Sequence, residues 1–343
     1  PYTTLFRSLK KRPLWPIRDI LREAAKLNMS TGVGMLPSKV WQGAGRRGKL
    51  TLDEFHSIYD RYAKRMIGAT REHVFDYTIS VEAQRSPVQY EEKHHRSLWL
   101  DHLRSSYESS DELNKLYGTA HTSFEEVPFP ESLPENPAAK YDYTRLRQIM
   151  IAKELAWAAD RIRSYDPDAA VTGYPYVWTF REAAAYYEHA IDPELDAACM
   201  DIVSCDTSGS YHTERYAMST ITWMAGYYSL MKSIAGNRPL FDGEFHYTNR
   251  RKIYPENWAR SIYFHAYMHG LNGSYSWVWL RSPRIGAALL FDANVMIGSG
   301  RASLDLQRVA AEVTAFHDTP NDVLLLYSNA SSPHSRQVGD LVL

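Results

Sequence analysis

In residues 17–27 (IRDILREAAKL), the apolar positions Ile17, Ile20, Leu21, Ala24 and Leu27 recur at intervals of three and four. That is the period of one helical face. The segment runs into a short strand-like stretch at 30–35 (STGVGM), ended by Pro37. The same order then repeats along the chain. A helix over 52–66 leads to a strand over 74–81 (VFDYTISV). An insertion follows, with a helix near 94–107 and a proline-rich loop over 128–137. Beyond it, a helix over 143–165 feeds a strand over 169–173, and a further strand is expected over 200–204. Helices over 215–235 and 258–269 precede strands over 239–245 and 273–279. Alternation of helix and strand, with six strands in all, implies parallel strands joined by crossover helices.

Two α/β architectures meet that description, a doubly wound open sheet and a (β/α)8 TIM barrel. No GxxxxGK[ST] motif occurs, which weakens nucleotide-binding readings. The strands end instead in polar, aromatic or acidic residues, namely Glu82, Tyr174, Asp206, Glu244 and Trp279. Chemistry spread over many strand ends is the habit of the barrel. Six strands leave that barrel incomplete, its first two strands missing. The first eight residues (PYTTLFRS) resemble the translation of a sequencing-adapter oligonucleotide, as found at the ends of metagenomic gene fragments. They are set aside from the fold as a non-native segment, and a start of that kind accounts for the missing strands. The expected organisation is residues 1–8 adapter-derived, 9–318 a partial barrel, and 319–343 the start of a further domain. With the true start missing, the compartment stays open, cytoplasmic or exported.

Composition narrows the partners. The 343 residues carry 39 basic and 40 acidic side chains, so neither nucleic acid nor an anionic membrane is expected as a partner. No apolar run reaches the ~20 residues that span a bilayer. Two cysteines, Cys199 and Cys205, cannot build a disulfide framework or a four-thiolate zinc site. The aromatic load is high, with 9 Trp, 24 Tyr and 11 Phe. Tyr and Trp pair an apolar face with a polar edge, which suits stacking on sugar rings as well as core packing.

Glu82 and Glu244 each end a strand, and two carboxylates at one barrel mouth can cleave a glycosidic bond. One protonates the leaving oxygen while the other attacks the anomeric carbon or activates water. A single strand-end Glu is more often a solvated loop acid; the pair is what carries the argument. In a retaining enzyme the two carboxyls stand roughly 5–5.5 Å apart. Around them, Asp206 and Tyr211 are placed to bond the nucleophile, or serve an ordinary loop. His246 shares the strand face of Glu244 by the period of two. Trp277 and Trp279 share a face. Tyr174, with Tyr176 and Trp178, alternates into the cleft, and Arg281 is a candidate hydroxyl ligand. The run Glu91–Glu92–Lys93–His94–His95 reads as a solvated helix face, since adjacent helical residues point apart.

Glutamates ending two barrel strands, three strands apart, resemble the pattern of clan A glycoside hydrolases. Counting back from Trp279 as strand 8 puts Glu244 on strand 7, Asp206 on strand 6, Tyr174 on strand 5, Glu82 on strand 4 and Met35 on strand 3. Within the clan, residues 98–131 are similar to family 42, the β-galactosidase family, through Trp99, Leu100, Tyr107, Leu113, Asn114 and Tyr117–Gly118–Thr119–Ala120. Residues 200–206 (MDIVSCD) resemble that family's strand 6, and residues 321–332 resemble the start of its Rossmann-like trimerisation domain. The resemblance implies a retaining β-glycoside hydrolase with Glu244 as nucleophile, Glu82 as acid/base and Trp279, at the end of strand 8, as the sugar platform. It implies an oligosaccharide or glycoside substrate, no metal or organic cofactor, and a full-length protein able to form a homotrimer. Val81 stands where the clan pattern has Asn before the acid/base. That departure keeps two alternatives in play, another clan A glycosidase (glucosidase, mannosidase or polysaccharide-cleaving) and a catalytically silent carbohydrate-binding barrel.

Overall fold

The computed structural model describes residues 15–37, 51–81, 92–174, 190–207, 217–247, 254–277, 292–317, 319, 324 and 326–328. The adapter-like segment and most of residues 319–343 lie outside these. By internal contacts the chain divides into two compact units, Pro1–Thr172 with Ala183–Met200, and Gly173–Glu182 with Asp201–Leu343.

The strands are β1 (Gly32–Gly34), β2 (Asp76–Val81), β3 (Ala170–Tyr174), β4 (Ile202–Cys205), β5 (Leu240–Phe245) and β6 (Gly273–Ser276). They stand in chain order, β1-β2-β3-β4-β5-β6, in one sheet. The β1/β2, β4/β5 and β5/β6 ladders are parallel. This is a partial (β/α)8 barrel, with β1 to β6 in the places counted above as strands 3 to 8.

In the first unit the helices are α1 (Trp15–Lys26), α2 (Leu52–Thr70), α3 (Glu92–Ser106), α4 (Ser110–Tyr117), α5 (Pro137–Tyr165) and α6 (Pro193–Ala197). Thr51 opens α2 with a capping box: its hydroxyl accepts the Glu54 N–H at 3.1 Å while the Glu54 carboxylate accepts the Thr51 N–H at 2.9 Å. The core gathers Phe55, Tyr59 and Ile67 of α2, Tyr77 and Ile79 of β2, Trp99 and Leu103 of α3, and Ala158 and Ile162 of α5. Of the apolar face expected on α1, Leu21 is buried, whereas Ile20 and Leu27 are exposed.

The insertion between β2 and β3 is fastened by one buried carboxylate. Asp142 of α5 accepts hydrogen bonds from the hydroxyls of Tyr107 and Tyr117, the latter at 2.8 Å, and lies 3.3 Å from His102 Nε2. Asn114 shapes the turn after α4, donating to His121 O at 2.8 Å and accepting from the Thr119 hydroxyl at 2.7 Å. The motif residues that carried the family 42 resemblance are thus scaffold residues here. Trp99 and Leu113 are fully buried, and Tyr107 and Tyr117 hold Asp142.

The second unit carries α7 (Ala217–Ala235), α8 (Glu256–Met268), α9 (Ala293–Arg308) and α10 (Ala310–His317). Its core includes Val203, Met224, Tyr228, Leu240, Phe245, Ala259, Ile262 and Val295. Gly298 lets α9 lie against α8, because a Cβ there would strike the Glu256 carbonyl oxygen and come within 3.2 Å of Ala259 Cβ. Among the described residues no helix is long and apolar enough to cross a membrane.

Three sequence expectations need correction. Helix α5 begins at Pro137, six residues before the expected start, because Asn136 caps it and proline suits the first helical position. Strand β4 begins at Ile202, since Met200 still donates its N–H to Ala197 O at 3.1 Å in the turn that closes α6. Strand β6 ends at Ser276, although the Trp277 N–H still reaches Phe245 O at 3.1 Å.

Candidate active site

Five of the expected site residues meet in the second unit. Glu244, near the end of β5, is only 7% exposed. The Tyr174 hydroxyl, from the end of β3, donates to Glu244 Oε2 at 3.3 Å. His246 Nε2 stands 3.7 Å from Glu244 Oε1 and 4.0 Å from Asp206 Oδ1, just past β4. The half-buried Trp277 has its ring 5.9 Å from that of His246, tilted at 47°. Glu244 and His246 do share a side of the chain, as the period of two requires. Glu82, Tyr211, Trp279 and Arg281 lie outside the described residues, as do Tyr176 and Trp178.

Gly243 makes the Tyr174 contact feasible. A Cβ at that position would run into the Tyr174 ring and come within 2.9 Å of Ser204 Oγ. With no side chain there, the phenol lies flush against the β5 backbone next to Glu244.

One buried acid beside Glu244 escaped the sequence reading. Asp242 is fully buried, and its Oδ2 accepts from the hydroxyls of Thr207 and Tyr228, the latter at 2.8 Å. Its Oδ1 accepts the Glu244 N–H at 3.2 Å. Burial pushes its carboxyl up to about 6, against the pull of the Thr207, Tyr228 and Glu244 hydrogen bonds. The cysteines are free, and burial raises both thiols, Cys199 to about 11, so neither is an activated nucleophile. Asp206, Glu244 and His246 each offer a ligand atom within 4.8 Å of the others, a spacing that a small cation can bridge.

Residues 44–296 match the family model Glyco_hydro_42, described as beta-galactosidase. Among solved structures, a catalytic mutant of Gan42B, a GH42 β-galactosidase from G. stearothermophilus, aligns with a TM-score of 0.75 at 12% identity, over 96% of this chain and 54% of that one. An apo exo-carrageenase of GH42 from Bacteroides ovatus aligns with a TM-score of 0.68 at 17% identity, over 84% of this chain and 43% of that one. The β-galactosidase from Bacillus circulans sp. alkalophilus aligns at 0.65 and 15% identity, over 88% and 49%. The chain therefore spans about half the length of these proteins. No curated protein matches it.

Proposed function

The chain belongs to the glycoside hydrolase 42 family, and from that premise we propose that it is a retaining β-glycoside hydrolase, β-galactosidase-like, working by double displacement. Glu244 attacks the anomeric carbon while Glu82 gives a proton to the departing oxygen, which leaves a glycosyl ester on Glu244. Glu82 then takes a proton from water as that water displaces the sugar from Glu244. Tyr174 holds one carboxylate oxygen and His246 flanks the other, so the nucleophile is oriented before substrate arrives. Trp277, and Trp279 two residues on, offer the stacking surface for the sugar, while Asp206, Tyr211 and Arg281 contact hydroxyls or the nucleophile. No cation enters these steps. The observation that carries the reading is the buried Glu244, held between Tyr174 and His246.

The test is exposure to a 2-deoxy-2-fluoro-β-galactoside with a dinitrophenolate leaving group. A covalent adduct is expected on the peptide containing Glu244. Turnover of aryl β-glycosides with no adduct there would remove Glu244 from its role. Val81, preceding Glu82, favours one second reading, a carbohydrate-binding barrel without turnover. Sugar binding by calorimetry with neither adduct nor hydrolysis would select it.

A further inference from the structure

The ladder between β5 and β6 slips. Asp242 pairs with Ser274 but Phe245 pairs with Ser276, so β5 spends one residue more than its partner over this stretch. The slip has a visible effect on side-chain direction. Asp242 reaches Tyr228 on α7, and Phe245 packs on Tyr263 of α8 at 5.1 Å between ring centroids. Both therefore face helices although an odd step of three separates them, which a regular strand forbids. Glu244 is freed from the side Asp242 occupies and meets Tyr174 instead. Bulges that redirect a side chain in this way gather next to active sites.

We propose that Asp242 is the positioning residue for Glu244, its carboxylate fastening the bulge that turns Glu244 toward Tyr174 and His246. The proposal rests on the reading of Glu244 as nucleophile. Parallel strands are covered on both faces and are rich in Val, Ile and Leu, so a helix-facing position is ordinarily apolar, and a carboxylate there is costly to bury. Asp242 offsets that cost with three hydrogen bonds, each to a different element or segment. The Thr207 hydroxyl ties it to the end of β4, the Tyr228 hydroxyl ties it to α7, and the Glu244 N–H ties it to the bulge. The Thr207 and Tyr228 oxygens stand 2.7 Å apart, so the two donors converge on one carboxylate oxygen. The Thr207 carbonyl in turn accepts the His246 N–H at 3.1 Å, so the same network fixes the backbone on both sides of Glu244. Asp242 itself touches neither the proposed substrate nor the reacting atoms.

The experiment follows fluoroglycoside inactivation of the full 343-residue chain, with the labelled peptide identified by mass and rates expressed per labelled site. In Asp242→Ala the inactivation rate constant should fall about 100-fold, the cost of misplacing a reacting group by about 1 Å. The apparent binding constant for the fluoroglycoside should stay within about threefold. Asp242→Asn keeps Oδ1 for the Glu244 N–H and can donate to the two hydroxyls, so it should recover about tenfold or more of that loss. A merely structural residue would lower the melting temperature and the labelled fraction without changing the rate per site, and that result overturns the proposal. Should Asp242→Ala fail to fold, Thr207→Val removes one donor and keeps the carboxylate. Its rate should drop about tenfold, and parent-like rates in both Thr207→Val and Asp242→Asn overturn the proposal equally. A parent chain that hydrolyses glycosides without labelling Glu244 overturns the nucleophile reading and this inference together. Normal parental labelling with indifferent variants overturns this inference alone.

Discussion

Glu154 on α5 is a carboxyl sealed inside the first unit, 8% exposed, and burial pushes it up to about 8. In the fold it therefore keeps its proton long after the unfolded chain, near 4.5, has released it. Whatever stability this protonated group permits is complete below pH 4.5, declines as pH rises toward 8, and levels off above. A shift of that size is worth on the order of 4 kcal/mol. Glu154→Gln should accordingly raise the melting temperature at pH 8.5 and change it little at pH 5. Equal effects at both pH values in thermal melts would show that Glu154 is ionised in the fold. Residues differed in how readable they were. Glu244 stood out because an acid ends a predicted strand. Asp242 did not, because alternation puts residues 242 and 244 on one face, and the one-residue slip that separates them shows in the sequence only as Gly243. Tyr174, His246 and Trp277 were found by alternation and Asp206 as a strand-end acid; Tyr174 and His246 flank Glu244, and Asp206 and Trp277 stand beside His246.

Elements were legible where apolar period and end signals agreed. The strands came out within about two residues because buried apolar runs mark them. Several helices went unread although their caps were in plain view. Ser109 with Glu112 announces α4, Asp192 before Pro193 announces α6, and Asp292 announces α9. In each case a short or mixed apolar pattern hid a sound start. The pairing of α8 with α9 leaves a sharper trace. Gly298→Ala would force its methyl into the Glu256 carbonyl, so the helices must part. The expected cost is about 1–3 kcal/mol, a lowering of several degrees in a thermal melt. An unchanged melting temperature would mean that α9 shifts freely on α8. The ion pairs Arg301–Glu256 and Arg260–Asp305 beside this contact are largely exposed and add little.

Across the whole molecule, the two proposed carboxylates do different work and should fail differently. Glu244→Ala is expected to abolish turnover of every glycoside. Glu82→Ala should still be glycosylated by aryl substrates with good leaving groups, stall at release of the sugar, and recover rate with azide, which needs no base. Parent-like hydrolysis of alkyl glycosides by Glu82→Ala, without an azide effect, would exclude Glu82 as acid/base. The clan could be read from sequence through helix–strand alternation and strand-end acids, and the family through residues 98–131 and 200–206. The structural roles of Tyr107 and Tyr117 could not, since their common partner Asp142 lies 35 and 25 residues further along the chain. Gly243 carried no such signal, yet Gly243→Ala should cost about 100-fold in fluoroglycoside inactivation by displacing Tyr174 from Glu244. An unchanged inactivation rate would show that the phenol does not orient the nucleophile.

The strict chain order of the sheet has a consequence for biosynthesis. Within β1 to β6 each strand finds its neighbour in the strand made just before it, so none of these pairings waits for a distant segment to emerge. A nascent chain can add one helix–strand step at a time to a template already in place, as domains that form from their N-terminal side do. At every stage of that growth the newest strand presents an unpaired row of amides and carbonyls, the form of backbone most prone to recruit a second chain. Once Phe245 has left the ribosome, the β5 edge stays uncovered, Glu244 with it, until Gly273 to Ser276 emerge to pair there. Vectorial assembly thus trades a low search cost for a moving adhesive edge.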